Sequence, residues 1–356
     1  MIERILDHLA ALIAADSQNP PREITADSPI FRYVCEQLAD DFDLSLTDHG
    51  AGHVTLLAVR GTPRLLFNCH LDTVPVGTGW SVPPLELTVR DGRAYGRGSC
   101  DIKGAAAALL TVAKLSDVPL ALLFTSDEEG AGGCCVARFL DSDAARRFDT
   151  AVVCEPTDNH AVLSHRGYLS LKAEFRGIAG HSSEARALTD SAIHAAARWI
   201  TAALEVAHSE AEAGRHSAFN VGRIAGGIKS NVIADRCALH ASARLPPGAD
   251  SDAFVARLKA LTDAPVSWEL PFFGPPLPDA GHDTGRARAL ARHLQLPITE
   301  QVDFWTEASL FAAAGLTAWV LGPGRIEQAH TADEWVALDA LESAAGLYRR
   351  IAGEST

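Results

Sequence analysis

The stretch FNCHLDTVP (residues 67–75) places a histidine at the end of an apolar run, and an aspartate follows two positions later. Side chains in a strand alternate between its two faces, so His70 and Asp72 can point in the same direction. A histidine held by a nearby carboxylate suits metal ligation or general-base catalysis. For this stretch alone, a core histidine paired with a capping aspartate is an equally good interpretation. The remaining segments of the chain are needed to distinguish a functional histidine from a core histidine.

The composition is that of an acidic chain of ordinary hydrophobicity. Its 356 residues are 47% hydrophobic and 21% charged, which is typical of a globular protein and allows two domains. The net charge of −14 argues against nucleic acid and anionic membranes as partners. Residues 1–16 predict an amphipathic helix rather than a signal peptide, and no apolar run reaches the ~18 residues of a membrane span. Seven scattered cysteines without a C-x-x-C pair predict a reducing, cytoplasmic environment.

The first 160 residues alternate between strand-like and helix-like segments. Short continuous apolar runs, typical of strands buried on both faces, lie at residues 54–59, 65–69, 120–125 and 150–154. An alanine-rich and leucine-rich helix is predicted over residues 102–115. The pattern predicts an α/β domain with a mixed sheet and helices on both sides.

A different pattern occupies the middle of the chain. Predicted strands and helices there follow the order strand 167–177, helix 189–207, strands 218–224 and 236–245, helix 251–261, and strand 265–270. This βαββαβ order predicts a ferredoxin-like unit inserted as a second domain. A proline-rich segment at 271–281 is predicted to be the return linker. We therefore divide the chain into 1–165, 166–275 and 276–356, with the first and last segments forming one domain.

Charged side chains follow the predicted strands of the first domain, where open α/β sheets form their sites. The strand-end candidates are His70, Asp72, Asp101, Asp127, Glu128, Glu129 and Glu155, and His330 follows a late strand. A set of histidines and carboxylates without thiolate suits zinc, and also cobalt or manganese. Solvated acids at strand ends are the alternative interpretation, but coincidence at five strand ends argues against it. The pattern predicts a metal site at one rim of the sheet.

Five motifs together resemble the co-catalytic zinc peptidase family. They are H-x-D at 70–72, G-x-G-x-x-D-x-K-G at 96–104, EE at 128–129, EP at 155–156 and the late histidine at 330. This family includes aminoacylase, acetylornithine deacetylase, succinyl-diaminopimelate desuccinylase and glutamate carboxypeptidases. The resemblance covers essentially the whole chain. It implies a catalytic α/β domain whose inserted ferredoxin-like domain is a lid and dimerisation domain, and hence a homodimer.

The resemblance also implies roles for individual residues. Two divalent metal ions, zinc in the first place, would be held by His70, Asp101 and Glu155 and by Asp101, Glu129 and His330, with Asp101 as the bridge. Asp72 would orient His70. Glu128, next to a ligand, would be the general base, taking a proton from a metal-bridging water and giving it to the leaving amine.

The same resemblance assigns the substrate side. Arg166, Asn231, Arg244 and Thr306 would bind the substrate carboxylate, and His181 would reach across the dimer to the scissile carbonyl. Other interpretations stay open, because the two arginines could be ordinary surface residues and the histidine could cap the helix that follows it.

Four segments narrow the family to a branch. Residues 67–75, 226–231, 303–311 and 322–334 resemble acetylornithine deacetylases most, and still more the branch acting on N-acetylcitrulline. The expected reaction is removal of the acetyl group from N-acetyl-L-ornithine or N-acetyl-L-citrulline, a small-molecule substrate of arginine biosynthesis. A succinyl-diaminopimelate desuccinylase, or a dipeptidase or carboxypeptidase with the same metals, is the alternative. A metal-free binding module is more remote, because the ligand set and Glu128 are complete.

Overall fold

The computed structural model describes residues 1–20, 23–130, 134–212, 217–299 and 301–354. The chain divides into two compact units. Unit 1 comprises Met1–Leu163, Thr284–Gln301 and Thr306–Thr356, and unit 2 comprises Ser164–Asp283 and Val302–Trp305. Within the described ranges, every helix is too short or too polar to cross a membrane.

The strands and helices follow one another through both units. The strands are β1 Asp43–Asp48, β2 Val54–Arg60, β3 Leu65–His70, β4 Thr88–Arg90, β5 Arg93–Tyr95, β6 Leu120–Thr125, β7 Thr150–Val153, β8 Ala161–Val162, β9 Gly167–Arg176, β10 Ala218–Gly226, β11 Arg236–Leu245, β12 Val266–Gly274, β13 Ile298–Thr299, β14 Thr317–Val320 and β15 Trp335–Ala337. The α-helices are α1 Ile2–Ala14, α2 Pro29–Leu38, α3 Lys103–Leu115, α4 Cys134–Leu140, α5 Ala187–Asp190, α6 Ala192–Glu212, α7 Ser251–Lys259, α8 Gly285–His293, α9 Ala308–Ala313 and α10 Leu338–Glu354. Short 3₁₀ helices cover Asp143–Arg147 and Ile326–Gln328.

Unit 1 is built on an eight-stranded mixed sheet in the order β1-β2-β6-β3-β7-β14-β8-β13. Strand β3 pairs in parallel with both β6 and β7, whereas β2 runs antiparallel to β1 and β6. Every residue of β3, β6 and β7 is buried, as the continuous apolar runs predicted. The predicted mixed α/β fold class is therefore confirmed.

Helix α3 shows why small residues occupy the first half of its sequence. Eleven of its thirteen residues are buried, and α1 and α10 both pack against it. Alanine side chains allow such close approach on several faces at once and cost no side-chain entropy. The helix that begins at Lys103 is thereby held rigidly beside the end of strand β3.

Unit 2 carries a four-stranded antiparallel sheet in the order β10-β11-β9-β12. Burial alternates along β9 and β11, so one face of the sheet is covered and the other is open. The covered face packs around Phe175 and the fully buried Trp199 of α6. The elements follow the predicted βαββαβ order, with the short helix α5 added. That unit 2 is a lid or dimerisation domain stays a prediction.

Two boundaries differ from the sequence-based expectation. Strand β12 continues to Gly274, so the first part of the predicted linker at 271–281 is strand. The pairing with β9 shifts register between Glu269 and Phe272, and this irregularity accommodates Pro271, which cannot donate to a regular ladder. Unit 2 extends to Asp283, beyond the predicted border at 275.

Two helical glycines of unit 1 make a matched pair for a packing test. A Cβ on Gly104, in α3, would lie 2.3 Å from the Ser99 carbonyl oxygen, whereas a Cβ on Gly346, in α10, would meet nothing within 4 Å. We expect Gly104→Ala to lower the free energy of unfolding by about 1–3 kcal/mol through overpacking. We expect Gly346→Ala to raise it by about 0.5–1 kcal/mol. Urea unfolding followed by circular dichroism measures both, and stabilisation by Gly104→Ala would contradict the packing.

Candidate metal centre

The central parallel strands of unit 1 deliver the first group of site residues. His70 is the last residue of β3, and Glu155 follows β7 two residues after Val153. Because β3 and β7 are parallel neighbours, their carboxyl ends meet at one edge of the sheet. His70 Nε2 lies 3.4 Å from Glu155 Oε1. Both side chains are almost completely buried.

Asp101 stands between two histidines. Its Oδ1 lies 3.1 Å from His70 Nε2, and its Oδ2 lies 3.2 Å from His330 Nε2. His330 Nε2 also lies 2.9 Å from Glu129 Oε1. Three groups of ligand-capable atoms result, each with its atoms within 4.8 Å of one another: His70, Asp101 and Glu155; Asp101, Glu129 and His330; and His70, Glu128 and Glu129. Asp101 belongs to the first two groups and presents a different oxygen to each histidine.

The loop before Asp101 needs its glycine. Gly98 has φ +83°, and a Cβ there would lie 2.8 Å from Lys103 Cδ. Only a residue without a side chain fits this conformation and this approach. His330 also adopts a positive φ, of 59°, which is uncommon for a residue other than glycine. Such conformations concentrate at functional sites, where the surrounding structure holds them.

The electrostatics of the site are those of crowded carboxyl groups. Burial, with Glu129 adding to it, raises the pKa of Glu128 well above its usual range. Burial and Asp101 raise the pKa of Glu129 to about 7 and also raise that of Glu155. Burial alone would raise the pKa of Asp101 too, but hydrogen bonds with the two histidines hold it below its ordinary value. The cluster is short of positive charge.

The pKa values of the two histidines are raised as well, which favours their positively charged forms. Hydrogen bonds with Asp101 and Glu129 raise the pKa of His330 to about 11. Burial would lower the pKa of His70, but Glu155 and Asp101 outweigh burial and raise it well above its ordinary value. Protonated histidines would offset part of the negative charge of the neighbouring carboxylates. Divalent cations would replace these protons with fixed positive charge.

The donor set fits divalent metal ions. Histidine nitrogens and carboxylate oxygens are good ligands for zinc, cobalt and manganese. Glu155 Oε1 is buried and, apart from His70 Nε2 at 3.4 Å, has no hydrogen-bond partner within the described residues, so a lone pair is left for a cation. The predicted ligands His70, Asp101, Glu129, Glu155 and His330 are all brought together in unit 1. Their role as ligands stays a prediction.

Asp72 has a wider set of contacts than the sequence suggested. His70 Nδ1 lies 3.0 Å from the Asp72 carbonyl oxygen and 3.5 Å from its carboxylate, so the backbone is the closer partner. Asp72 Oδ2 accepts a hydrogen bond of 3.0 Å from the Glu129 backbone N–H. Asn19 donates to the same oxygen at 3.4 Å and to the Ser126 carbonyl at 2.8 Å. Asp72 therefore ties the β3 end to the segment that carries Glu129.

Three residues in this part of unit 1 were not predicted from the sequence. Asn19 has no motif around it and could not have been found. Glu334 is fully buried and accepts hydrogen bonds from the loop before Asp101; its only signal was its place four residues after His330. Glu307 is also buried, and burial and the nearby Asp127 raise its pKa well above its usual range.

A further group of ligand-capable atoms consists of His53, Asp127 and Cys135. Asp127 Oδ2 lies 2.8 Å from His53 Nδ1 and accepts the Cys135 N–H at 2.9 Å, whereas Asp127 Oδ1 is buried and has no hydrogen-bond partner among the described residues. Burial raises the pKa of the Cys135 thiol, which disfavours the thiolate that a metal would need. Through these contacts, Asp127 links the residue before Glu128 to His53 and to the Cys135 backbone.

The predicted substrate residues of unit 2 show two arginines in defined surroundings. Arg166 Nε lies 2.8 Å from Asp303 Oδ1. The Arg244 guanidinium lies 4.1 Å from the centre of the Tyr168 ring, and burial, with a contribution from Arg166, lowers its pKa. Two positive groups are thus close enough to affect each other.

The other three predicted residues have local partners. The exposed His181 takes a hydrogen bond with Ser183 Oγ at 2.8 Å through Nδ1, and its N–H donates to Glu184. Asn231 is exposed, and its carbonyl accepts from the Ser182 N–H. Thr306, in unit 1, is buried, and its hydroxyl accepts from the Ala308 N–H at the start of α9. These contacts leave their predicted roles untested.

A mixed α/β sheet with histidines and carboxylates gathered at its strand ends is the architecture of a metal-dependent hydrolase. The family model described as "Peptidase family M20/M25/M40" matches residues 66–354. The chain belongs to this family, as its motifs predicted.

Curated relatives agree with this assignment, and a solved structure shares the fold. The chain is 44% identical over 352 residues to N-acetyl-L-citrulline deacetylase of Xanthomonas campestris pv. campestris, covering 96% of this chain and 95% of the relative. It is 34% identical over 300 residues to acetylornithine deacetylase of Erwinia tasmaniensis, covering 78% and 76%. The aminopeptidase PepT of Bacillus cereus ATCC 10987 shares the fold with a TM-score of 0.75 at 21% identity, over 100% of this chain and 99% of that one.

Metal binding should be visible as thermal stabilisation. We expect Zn²⁺ added to chelator-treated protein at about 100 times its dissociation constant to stabilise unit 1 by about 2.7 kcal/mol. In Asp101→Asn, which removes the shared carboxylate, most of this stabilisation, and of the rise in melting temperature that it causes, should disappear. Differential scanning fluorimetry with and without zinc makes the comparison. An equal shift in both proteins would place the zinc elsewhere.

Proposed function

We propose that the chain is a metal-dependent amidohydrolase that removes the acetyl group from N-acetyl-L-citrulline and, less efficiently, from N-acetyl-L-ornithine. The observation that carries this proposal is its similarity to N-acetyl-L-citrulline deacetylase, which is higher in identity and coverage than that to the acetylornithine deacetylases. The reaction breaks the amide C–N bond of the substrate with water, and it yields the free amino acid and acetate.

We further propose that unit 1 holds two divalent ions, with zinc as the ion that the ligands suit best. His70, Asp101 and Glu155 would hold one, and Asp101, Glu129 and His330 the other. When bound, such ions lower the pKa of water and polarise the amide carbonyl. Asp101 suits the bridging position because its two oxygens face different histidines.

Glu128 is the proposed general base. It lies between Asp127 and Glu129 in the chain, and a carboxylate oxygen of Glu128 lies within 4.8 Å of a ring nitrogen of His70, yet Glu128 belongs to neither group that contains Asp101. Its carboxylate would take a proton from the attacking water and pass it to the leaving amine nitrogen. Asp72 would hold His70 and the Glu129 backbone in place during this transfer.

For substrate binding, we propose that Arg166 and Arg244 bind the carboxylate of the acetylated amino acid. An anion between two nearby guanidinium groups would reduce the repulsion between their positive charges. Arginine also binds carboxylates in a bidentate manner. Asn231 and Thr306 would assist this contact, and His181 would donate a hydrogen bond to the scissile carbonyl oxygen.

A homodimer is part of the proposal. Strand β10 is an edge strand of the unit 2 sheet, and its residues are exposed or only partly buried. Ile224 is 48% exposed and Ile228, just beyond the strand, 86%. An exposed edge strand beside apolar side chains is a surface for pairing with a second copy. The cytoplasmic location proposed from the scattered free cysteines is consistent with a biosynthetic enzyme.

The substrate assignment is tested by comparing kcat/KM for N-acetyl-L-citrulline and N-acetyl-L-ornithine with the zinc-loaded protein. We expect a preference of about tenfold or more for the citrulline derivative, which corresponds to about 1.4 kcal/mol, because a neutral ureido group and a cation need different pockets. Preference for the ornithine derivative would move the assignment to acetylornithine deacetylase. Activity only on N-succinyl-L,L-diaminopimelate or on dipeptides would contradict the deacetylase proposal.

The role of Glu128 is tested by Glu128→Gln. We expect kcat to fall by about 10²–10⁴-fold because the proton transfer is lost, while zinc binding stays close to that of the wild type. Glu327→Gln is a suitable control, since this exposed residue lies in the Ile326–Gln328 3₁₀ helix and undergoes the same change of charge. Steady-state kinetics and zinc titration measure both effects. Near-normal turnover in Glu128→Gln would refute the mechanism.

A further inference from the structure

Glu334 is a fully buried carboxylate whose two oxygens are both saturated with hydrogen bonds. Its Oε1 accepts the backbone N–H groups of Cys100 and Asp101, each at 2.9 Å. Its Oε2 accepts the Gly98 N–H at 3.0 Å and Arg97 Nη1 at 2.6 Å. Four hydrogen bonds to one buried carboxylate offset much of its desolvation cost, and they hold the donor groups in a defined geometry.

All four donors lie within the five residues that end at Asp101. The segment from Arg97 to Asp101 has only turn structure, so it is not held by a strand ladder. Two of the four hydrogen bonds are made to the N–H of Asp101 itself and to the N–H immediately before it. The position of the Asp101 backbone, and with it the direction of its carboxylate, therefore depends on Glu334.

The segment that carries Glu334 also carries His330. Residue Asp333 accepts hydrogen bonds from Ser81 N–H at 2.7 Å and from its hydroxyl at 2.6 Å. The Glu334 carbonyl accepts the Gly96 N–H at 3.0 Å. Residues 330–334 are thus anchored to two separate loops, although His330 itself keeps a side chain that is 52% exposed.

We propose that Glu334 is a positioning residue of the metal centre. By holding the Asp101 backbone from the segment that bears His330, it sets the distance between the shared carboxylate and the histidine of the second group. The inference rests on the proposed function, because it takes Asp101 and His330 to be metal ligands.

The effect of Glu334→Gln follows from the number of acceptors. Glutamine has one acceptor oxygen, and the positively charged Arg97 is the donor that competes best for it. The amide NH₂ group would then face the N–H groups of Cys100 and Asp101, so these two hydrogen bonds would be replaced by contacts between donors. Arg97→Met breaks the same buried ion pair but leaves Glu334 Oε1 in place for both N–H groups. The two variants separate positioning of Asp101 from loss of the ion pair.

The test is calorimetric titration of Zn²⁺ into chelator-treated full-length wild-type protein, Glu334→Gln, Arg97→Met and the exposed control Glu327→Gln. We expect the zinc affinity of Glu334→Gln to fall by about 10–100-fold, as for other groups that orient metal ligands. The zinc affinity of Arg97→Met should fall clearly less, and that of Glu327→Gln should not change. In Glu334→Gln, excess zinc should restore much of kcat on N-acetyl-L-citrulline while KM changes little.

Wild-type zinc affinity in a folded Glu334→Gln would overturn the proposal, and so would an equal loss in Arg97→Met, since the effect would then be only structural. If Glu334→Gln does not fold, Glu334→Asp replaces it, because it keeps the charge but shortens the reach; unchanged zinc affinity there also overturns the proposal. Failure of the wild type to bind zinc would refute the metal centre itself. An active, zinc-binding wild type beside an unaffected Glu334→Gln would refute only the role of Glu334.

Discussion

The repulsion between buried carboxyl groups is the constraint on which the rest of the structure depends. Asp101, Glu128, Glu129 and Glu155 are brought close together at the strand ends of unit 1, where Asp101 and Glu155 are buried and Glu128 and Glu129 are partly buried. Such an arrangement is stable only with compensating positive charge, either as protons or as divalent cations. A scaffold that forces these groups together must be rigid, since a flexible one would let them separate. The fully buried central strands and the close packing of α3 supply this rigidity.

The sequence was sufficient for the parts of the fold that have local signals. Strands β3, β6 and β7 are continuous apolar runs, and strand β11 and the start of α7 agree with prediction because alternation and capping are encoded within a few residues. Strand ends are also where sites form in such sheets, so the motif residues could be placed on one rim from the sequence alone. Prediction was weaker at β12, where a proline suggested a linker but an irregular register accommodates it.

The supporting contacts of the site could not be predicted, because they join segments that lie far apart in the chain. Glu334 contacts Asp101 across 233 positions, and Asn19 reaches Asp72 across 53. No period or motif encodes such a pair. Even at Asp72, where alternation predicted proximity to His70, the sequence could not show that the carboxylate instead receives the Glu129 N–H at the shorter distance. The candidate ligands could therefore be found from the sequence, whereas the residues that contact them from distant segments could not.

The same reasoning explains why the chemistry was easier to infer than the substrate. The protein carries a net charge of −14, but its long-range field is screened over ~8 Å at physiological ionic strength, so local guanidinium groups, for which Arg166 and Arg244 are the proposed candidates, would decide whether a carboxylate binds. N-acetyl-L-ornithine and N-acetyl-L-citrulline share that carboxylate and the acetyl amide. Neither the arginines nor the metal centre can therefore distinguish them. Discrimination has to come from groups that face the end of the side chain, where an ammonium needs compensating negative charge and a ureido group needs only hydrogen-bond partners. Those groups are free to differ between enzymes with identical motifs.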